Sequence, residues 1–227
     1  MEASATIDRI DPDKVRLAPW PGRWEWDVHS SEFRKLVDSV SCTGGNIQPV
    51  YVAPLTSSSE VSTAESNRHE YQLILGQRRL LACRESGQPL YALVTSALSP
   101  RNQFVAAIHE NSLPANRLSD FEMGRRCVSA LDLGLFRSPA ELANSCGLPA
   151  SYVGEAVLLG RLVDEIIQIF PDPRRINANW AMPLSDMHHF DREGFLGRAE
   201  RCKASARPLT ARQTYELLVA PAFRGTP

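Results

Sequence analysis

The hydrophobic pattern of this chain changes character at Pro100. Before it, short apolar runs are separated by turn residues, and beyond it apolar positions recur at helical spacing almost to the end. Such a switch restricts the chain to two successive parts, an α+β region followed by an all-α one, and 227 residues suffice for both. In the second part Phe104, Ala107 and Ile108 share one helical face, and Phe121, Val128, Leu131 and Leu135 another. Pro171-Asp172-Pro173 interrupts the helices, and Thr210 with Gln213 forms a capping box ahead of Leu217 and Leu218. The expected organisation is an α+β domain over 1–98, a helical domain over 99–173 and a helical tail over 174–227.

Within the first part, the prolines around Pro19-Trp20-Pro21 exclude a helix and predict an extended arm anchored to the core by Trp20, Trp24 and Trp26. A helix follows, capped by Ser31, with Phe33, Leu36, Val37 and Val40 on its apolar face, and ends at Gly44-Gly45. Residues 48–53 and 71–75 read as partner strands, and the Ser, Thr and Glu-rich residues 56–67 between them as a solvated hairpin extension or loop. Gly76 turns the chain into a short helix over 77–86 that stops at Gly87, and 90–95 reads as a further strand.

Composition excludes several classes. Apolar residues make up 43% and charged ones 22%, as in globular proteins rather than disordered or collagen-like chains. No run approaches the roughly 18 apolar residues of a membrane span, and the start lacks a secretion signal, so the expectation is a soluble, cytoplasmic protein with no membrane partner. Five scattered cysteines, an odd number, argue against a disulfide framework or a zinc site and read as reduced, mostly buried thiols. Net charge is −1, but residues 1–67 carry 6 Lys+Arg against 10 Asp+Glu, and residues 68–227 carry 19 against 16. The basic excess lies downstream, and 22 of the 25 basic residues are arginine, the side chain suited to two-pronged phosphate contacts.

Three motifs can carry chemistry. The segment over about 138–160 reads as a helix-turn-helix: Ser138 caps the first helix, Pro139 fits its first position, Glu141 completes a capping box, and Gly147 supplies the turn. Small Ala143 allows close packing, and Val153 and Val157 face the core. That leaves Ser151, Tyr152, Gly154 and Glu155 at the start of the second helix, where such motifs meet base edges in the major groove. The same pattern also fits an ordinary helical hairpin. Gly76-Gln77-Arg78-Arg79 sits where a strand passes into a helix, and close backbone approach, free N–H groups and two guanidinium groups describe a polyphosphate cradle. Two arginines on a solvated helix face are the alternative. His109-Glu110-Asn111 ends a helix, and a carboxylate beside an amide oxygen could hold Mg2+, or could be no more than a helix end before Pro114. His109, His188 and His189 have no partner at metal-ligand spacing.

Taken in order, these pieces resemble the ParB family of plasmid and chromosome partition proteins. Gly45-Asn46-Ile47-Gln48-Pro49-Val50 is similar to the family's first box, Gly76-Gln77-Arg78-Arg79-Leu80-Leu81-Ala82 to its GxRR box, and Glu110-Asn111 with Leu118-Ser119-Asp120-Phe121-Glu122 to its third. Phe170-Pro171-Asp172-Pro173 and Leu209-Thr210-Ala211-Arg212-Gln213 are similar to segments of plasmid and integrative-element members. The resemblance implies a ParB/sulfiredoxin-like amino-terminal domain that holds CTP and Mg2+, ahead of the helix-turn-helix domain. It implies a homodimer that closes as a clamp on double-stranded DNA at a palindromic centromere-like site, with a ParA-type ATPase as partner.

Residue by residue, Gln48, Gly76, Gln77, Arg78, Arg79 and Asn111 fall at nucleotide-binding positions, Glu110 and Asn111 at metal positions, and Ser151, Tyr152, Gly154 and Glu155 at DNA-reading ones. Gln77 stands where many members have Glu, which implies weak CTP hydrolysis, and Pro114 stands where an arginine is expected, which distorts the third box. About fifty residues follow Pro173, less than the family's usual carboxy-terminal dimerisation domain, which leaves the helix at 210–219 as the late element for self-association. Rival readings are a repressor of the related KorB group and a ParB-like nuclease. Sulfiredoxin chemistry needs a cysteine in the glycine-arginine box, where this chain has Gln77.

Overall fold

The amino-terminal arm is built into both edges of a sheet. The computed structural model describes residues 6–20, 28–55, 69–95, 98–110 and 117–220. β1 (Ile7–Ile10) pairs antiparallel with β5 (Leu90–Val94), and β2 (Val15–Arg16) pairs parallel with β4 (Tyr71–Leu75). β3 (Val50–Pro54) runs between β5 and β4, which gives the order β1-β5-β3-β4-β2. The prolines of the arm predict extended chain without assigning it to the sheet. The arm's strands are too short to show a period, and what defines them is the exposed edges of β5 and β4. Asp11 caps a single 3-10 turn, Pro12–Lys14, between the two edge strands. Trp20 is buried edge-on against Phe104, with ring centroids 5.5 Å apart, as an anchor should be. Trp24 and Trp26 lie outside the described residues, as does the whole of 56–67.

The chain divides into two compact units, Met1–Arg117 and Leu118–Pro227. The first contains the sheet with α1 (Ser31–Thr43), α2 (Gln77–Ser86) and α3 (Pro100–Glu110). α3 therefore belongs with the sheet, although its periodicity placed it with the helices from 99 onward. The α1 cap is Ser30 rather than Ser31: Ser30 is extended, and its hydroxyl accepts from the Phe33 N–H at 3.1 Å. Phe33, Val40, Val50, Val52, Leu73, Leu80 and Leu90 form the core. α3 is pinned by a polar link within it, where Gln72 Nε2 donates to Gln103 Oε1 at 2.7 Å.

The second unit is all-α, with α4 (Asp120–Asp132), α5 (Pro139–Cys146), α6 (Ala150–Gly160), α7 (Asp164–Ile167), α8 (Ala181–Phe190), α9 (Arg192–Lys203) and α10 (Ala211–Val219). α4 and α6 touch backbone to backbone. A Cβ on Gly124 would lie 2.2 Å from the Ala156 carbonyl oxygen, and one on Gly160 would lie 2.4 Å from Gly124. This close seam explains a departure from the apolar pattern, because Cys127 and Ala130 are buried while Val128, Leu131 and Leu135 are only half-buried. Small residues occupy the face where there is least room. Burial pushes the Cys127 thiol up to about 12, as expected of an unreactive core cysteine. Cys83 and Cys146 are also buried, whereas Cys42 is exposed.

The tail packs back on the unit. Trp180 stacks on Tyr215 at 4.4 Å, and buried Arg198 donates to the Leu218 carbonyl and the Asp191 carboxylate, each at 2.9 Å. The Thr210–Gln213 capping box at α10 forms in full.

Candidate polyphosphate cradle and DNA-reading helix

In the first unit, Gly76 joins β4 to α2 with φ +101°, a conformation side chains rarely adopt, and a Cβ there would meet Val50 Cγ1 at 2.6 Å. α2 thus starts at a residue with no side chain to cover its first-turn N–H groups. An anion can approach that backbone closely. Gln77 and Arg78 follow, both half-buried.

Arg79 passes beside the Gly76 turn and reaches the start of β3. Its Nη1 donates to the Gln48 and Pro49 carbonyls at 3.1 and 2.6 Å, and its Nη2 to Glu110 Oε1 at 2.9 Å. The two side chains of this ion pair are only 16% and 22% exposed. Burial pulls the Arg79 pKa down from its ordinary value, and the adjacent Glu110 carboxylate opposes that shift. The fold thus gathers Gln48, Gly76, Arg79 and Glu110, residues of all three boxes. Gln48 contributes its carbonyl while its side chain faces solvent. Glu110, a candidate metal ligand by sequence, has one oxygen committed to Arg79. Asn111 and Pro114 lie outside the described residues, and among the described residues no group of three or more His, Cys, Asp or Glu could hold a metal ion.

Sequence reasoning gave Asn46 no role, yet it organises the first box. It is 3% exposed, its Nδ2 donates to the Gln48 and Tyr91 carbonyls at 2.8 Å, and its Oδ1 accepts from the Tyr91 N–H at 2.8 Å. One amide thereby ties the loop ahead of β3, through the Gln48 carbonyl, to both backbone groups of Tyr91 in β5. The only local sign was the preceding Gly45, at φ +145°, where a Cβ would lie 2.5 Å from the Tyr91 ring.

In the second unit, α5 and α6 form the expected helical pair. The Ser138 hydroxyl accepts from the Glu141 N–H at 3.2 Å, Pro139 opens α5, and Gly147 at φ +64° closes it. The reciprocal half of the capping box is different. The Glu141 carboxylate accepts from the Arg137 N–H at 2.7 Å, one residue earlier than the cap, with Ser138 itself extended between them. Leu142, Ala143, Val153 and Val157 are buried, which fixes α6 by its inner face. Ser151 and Glu155 are exposed one turn apart, and Gly154 between them is half-buried with open space where a Cβ would stand. Tyr152 differs from these. Its hydroxyl donates to Asp120 Oδ1 at 3.2 Å, and Asp120 Oδ2 accepts from the Ala178 N–H at 3.0 Å. The phenol is thus a brace between α6 and the start of α4.

A comparison with curated proteins finds no match to this sequence. Among solved structures, the chain is similar to the C-terminally truncated chromosome-partitioning protein ParB from Caulobacter crescentus complexed to the centromeric parS site, at 19% identity and a TM-score of 0.47, covering 93% of this chain and 98% of that one. It is also similar to the same truncated protein complexed with CTP-gamma-S, at 18% identity and a TM-score of 0.34, covering 94% and 99%. The family model of the ParB N-terminal domain matches residues 1–112. That match spans the sheet, the glycine-arginine turn and Glu110, so residues 1–112 form a domain of the ParB N-terminal family.

Proposed function

We propose that this protein is a ParB-type, sequence-specific DNA-binding protein that serves partition of a plasmid or integrated mobile element. It reads a palindromic, centromere-like site as a homodimer and acts with a ParA-type ATPase. The observation that carries this reading is the second helix of the α5–α6 pair, which presents Ser151 and Glu155 to the outside in a chain that begins with a ParB N-terminal domain. Base edges are read by just such side chains near the start of a recognition helix.

The first unit is the seat of CTP in this reading. Gly76, the open first turn of α2 and Arg78 suit a triphosphate, whose charge needs backbone N–H groups and guanidinium donors. Glu110 and Asn111 are the oxygen donors that would hold a Mg2+ accompanying the nucleotide, which would there offset phosphate charge. Gln77 orients water through its amide but cannot accept a proton as a carboxylate does, which makes hydrolysis slow. α10 has its buried residues, Thr214 and Leu218, packed within its own unit, so it offers little apolar surface for self-association. A weak dimer that tightens on DNA is expected.

Sequencing the DNA that co-purifies with the protein tests this function. A recurring palindrome beside the protein's own gene supports partition, and fragments without a shared sequence refute it. Ser151→Ala should lower preference for that site while leaving weak, salt-sensitive binding to random DNA. Equal loss on both would remove α6 from the reading role.

A further inference from the structure

Arg79 presents a problem of charge. A buried guanidinium requires an anion or several acceptors, and here it has two carbonyls and the Glu110 carboxylate. A nucleotide phosphate at the adjacent Gly76 turn would be a second anion for the same group, since a Cβ on Gly76 would lie only 3.3 Å from Arg79 Cζ. With Nη1 given to two carbonyls, the two anions compete for the one positive charge and the Nη2 side of a single guanidinium.

We propose that Glu110 is an internal counter-ion that a bound polyphosphate displaces from Arg79, so that nucleotide binding and docking of the last turn of α3 compete. The proposal rests on the polyphosphate cradle assigned to this turn. Glu110 closes α3, which is held along its length by buried Phe104, Ala107 and Ile108 and by the Gln103–Gln72 hydrogen bond. Beyond Ile108, the end of the final turn, exposed His109 and half-buried Glu110, is held by the ion pair. When phosphate takes Nη2, that turn loses its anchor, and the freed carboxylate becomes available to a magnesium ion that accompanies the nucleotide. Glu110 therefore has two successive partners, the guanidinium without nucleotide and the metal with it. The two carbonyl contacts of Nη1 persist throughout and keep Arg79 in place.

The consequence is an affinity penalty set by how often the latch is closed. A site that is open one-tenth of the time binds about tenfold more weakly than its intrinsic constant. Calorimetry with CTP in the absence of divalent metal isolates this effect. Glu110→Gln, which keeps the shape and removes the charge, should then bind CTP about three- to tenfold more tightly than the unaltered protein.

Adding Mg2+ should reverse the order, because the variant lacks the metal-accepting carboxylate. Weaker or unchanged metal-free binding in Glu110→Gln, while the unaltered protein binds CTP, overturns the latch and leaves the cradle standing. No CTP binding by either protein overturns both. Hydrogen exchange of the unaltered protein gives an arm independent of folding of the variant: metal-free CTP should raise exchange of the amides at 107–110 while those at 103–104 stay protected. Unchanged exchange at 107–110 under saturating CTP refutes displacement.

Discussion

Replacing Gly124 with alanine should destabilise the second unit even though alanine is the better helix former. Two terms oppose each other. Gly→Ala inside a helix is worth up to about 1 kcal/mol in favour of the variant. Against it, the new methyl group would stand 2.2 Å from the Ala156 carbonyl oxygen and 2.9 Å from the Gly160 nitrogen, where ordinary contact begins at 3.4 Å. All of these atoms are backbone, so no side chain can swing aside. α4 and α6 must separate by roughly 1 Å, and a gap of that size forfeits a quarter to a half of the dispersion attraction along the seam. Overpacking of this kind costs about 1–3 kcal/mol, and the rigid neighbours place it at the upper end, for a net loss of about 2 kcal/mol.

Gly197, mid-helix in α9 with nothing within 4 Å of its would-be Cβ, is the control. Gly197→Ala should gain about 0.5–1 kcal/mol from propensity alone. Native-state hydrogen exchange of the α6 amides, with urea unfolding of the same variants, reads both values. The reasoning is refuted if Gly124→Ala protects α6 as well as the unaltered protein does, or if Gly197→Ala loses as much.

Three further outcomes follow from individual side chains. Tyr152→Phe removes the hydroxyl bonded to Asp120 and should cost about 1 kcal/mol of stability, whereas exposed Ser151→Ala should cost almost none; thermal melts set beside DNA affinity separate brace from reader. Asn46→Ala strands the Tyr91 N–H and the Tyr91 and Gln48 carbonyls, so the first unit should lose about 1–3 kcal/mol and, with the start of β3 displaced, its nucleotide affinity in calorimetry. Glu165 is held below the usual carboxylate range by hydrogen bonds from His188 and then Arg192. Its stabilising effect is complete above the ordinary value of 4.5 and disappears as the pH falls through the lower folded value, so Glu165→Gln should flatten the acid limb of a stability profile for the second unit.

The sequence alone determined what depends on near neighbours. Helices α2 and α5, the Thr210 cap, the Gly76 and Gly147 turns and the α+β to all-α order follow from spacing, capping and glycine conformation, whose causes act within a few residues. Ser151 and Glu155 were legible for the same reason, because a helical period with known inner positions also marks the outer ones. The tertiary structure decided what depends on distant partners. The arm forms β1 and β2 only because β5 and β4 offer unpaired edges some 55 to 85 residues later in the chain. Gly124 and Gly160 look like weak points in two helices until the helices are seen to cross there. Arg79 reads as a phosphate ligand by composition, yet its acceptors come from positions about thirty residues away on either side, at Gln48, Pro49 and Glu110. Hydrogen bonds and charges satisfy whichever groups the fold brings within about 3 Å, and no local pattern records which those will be.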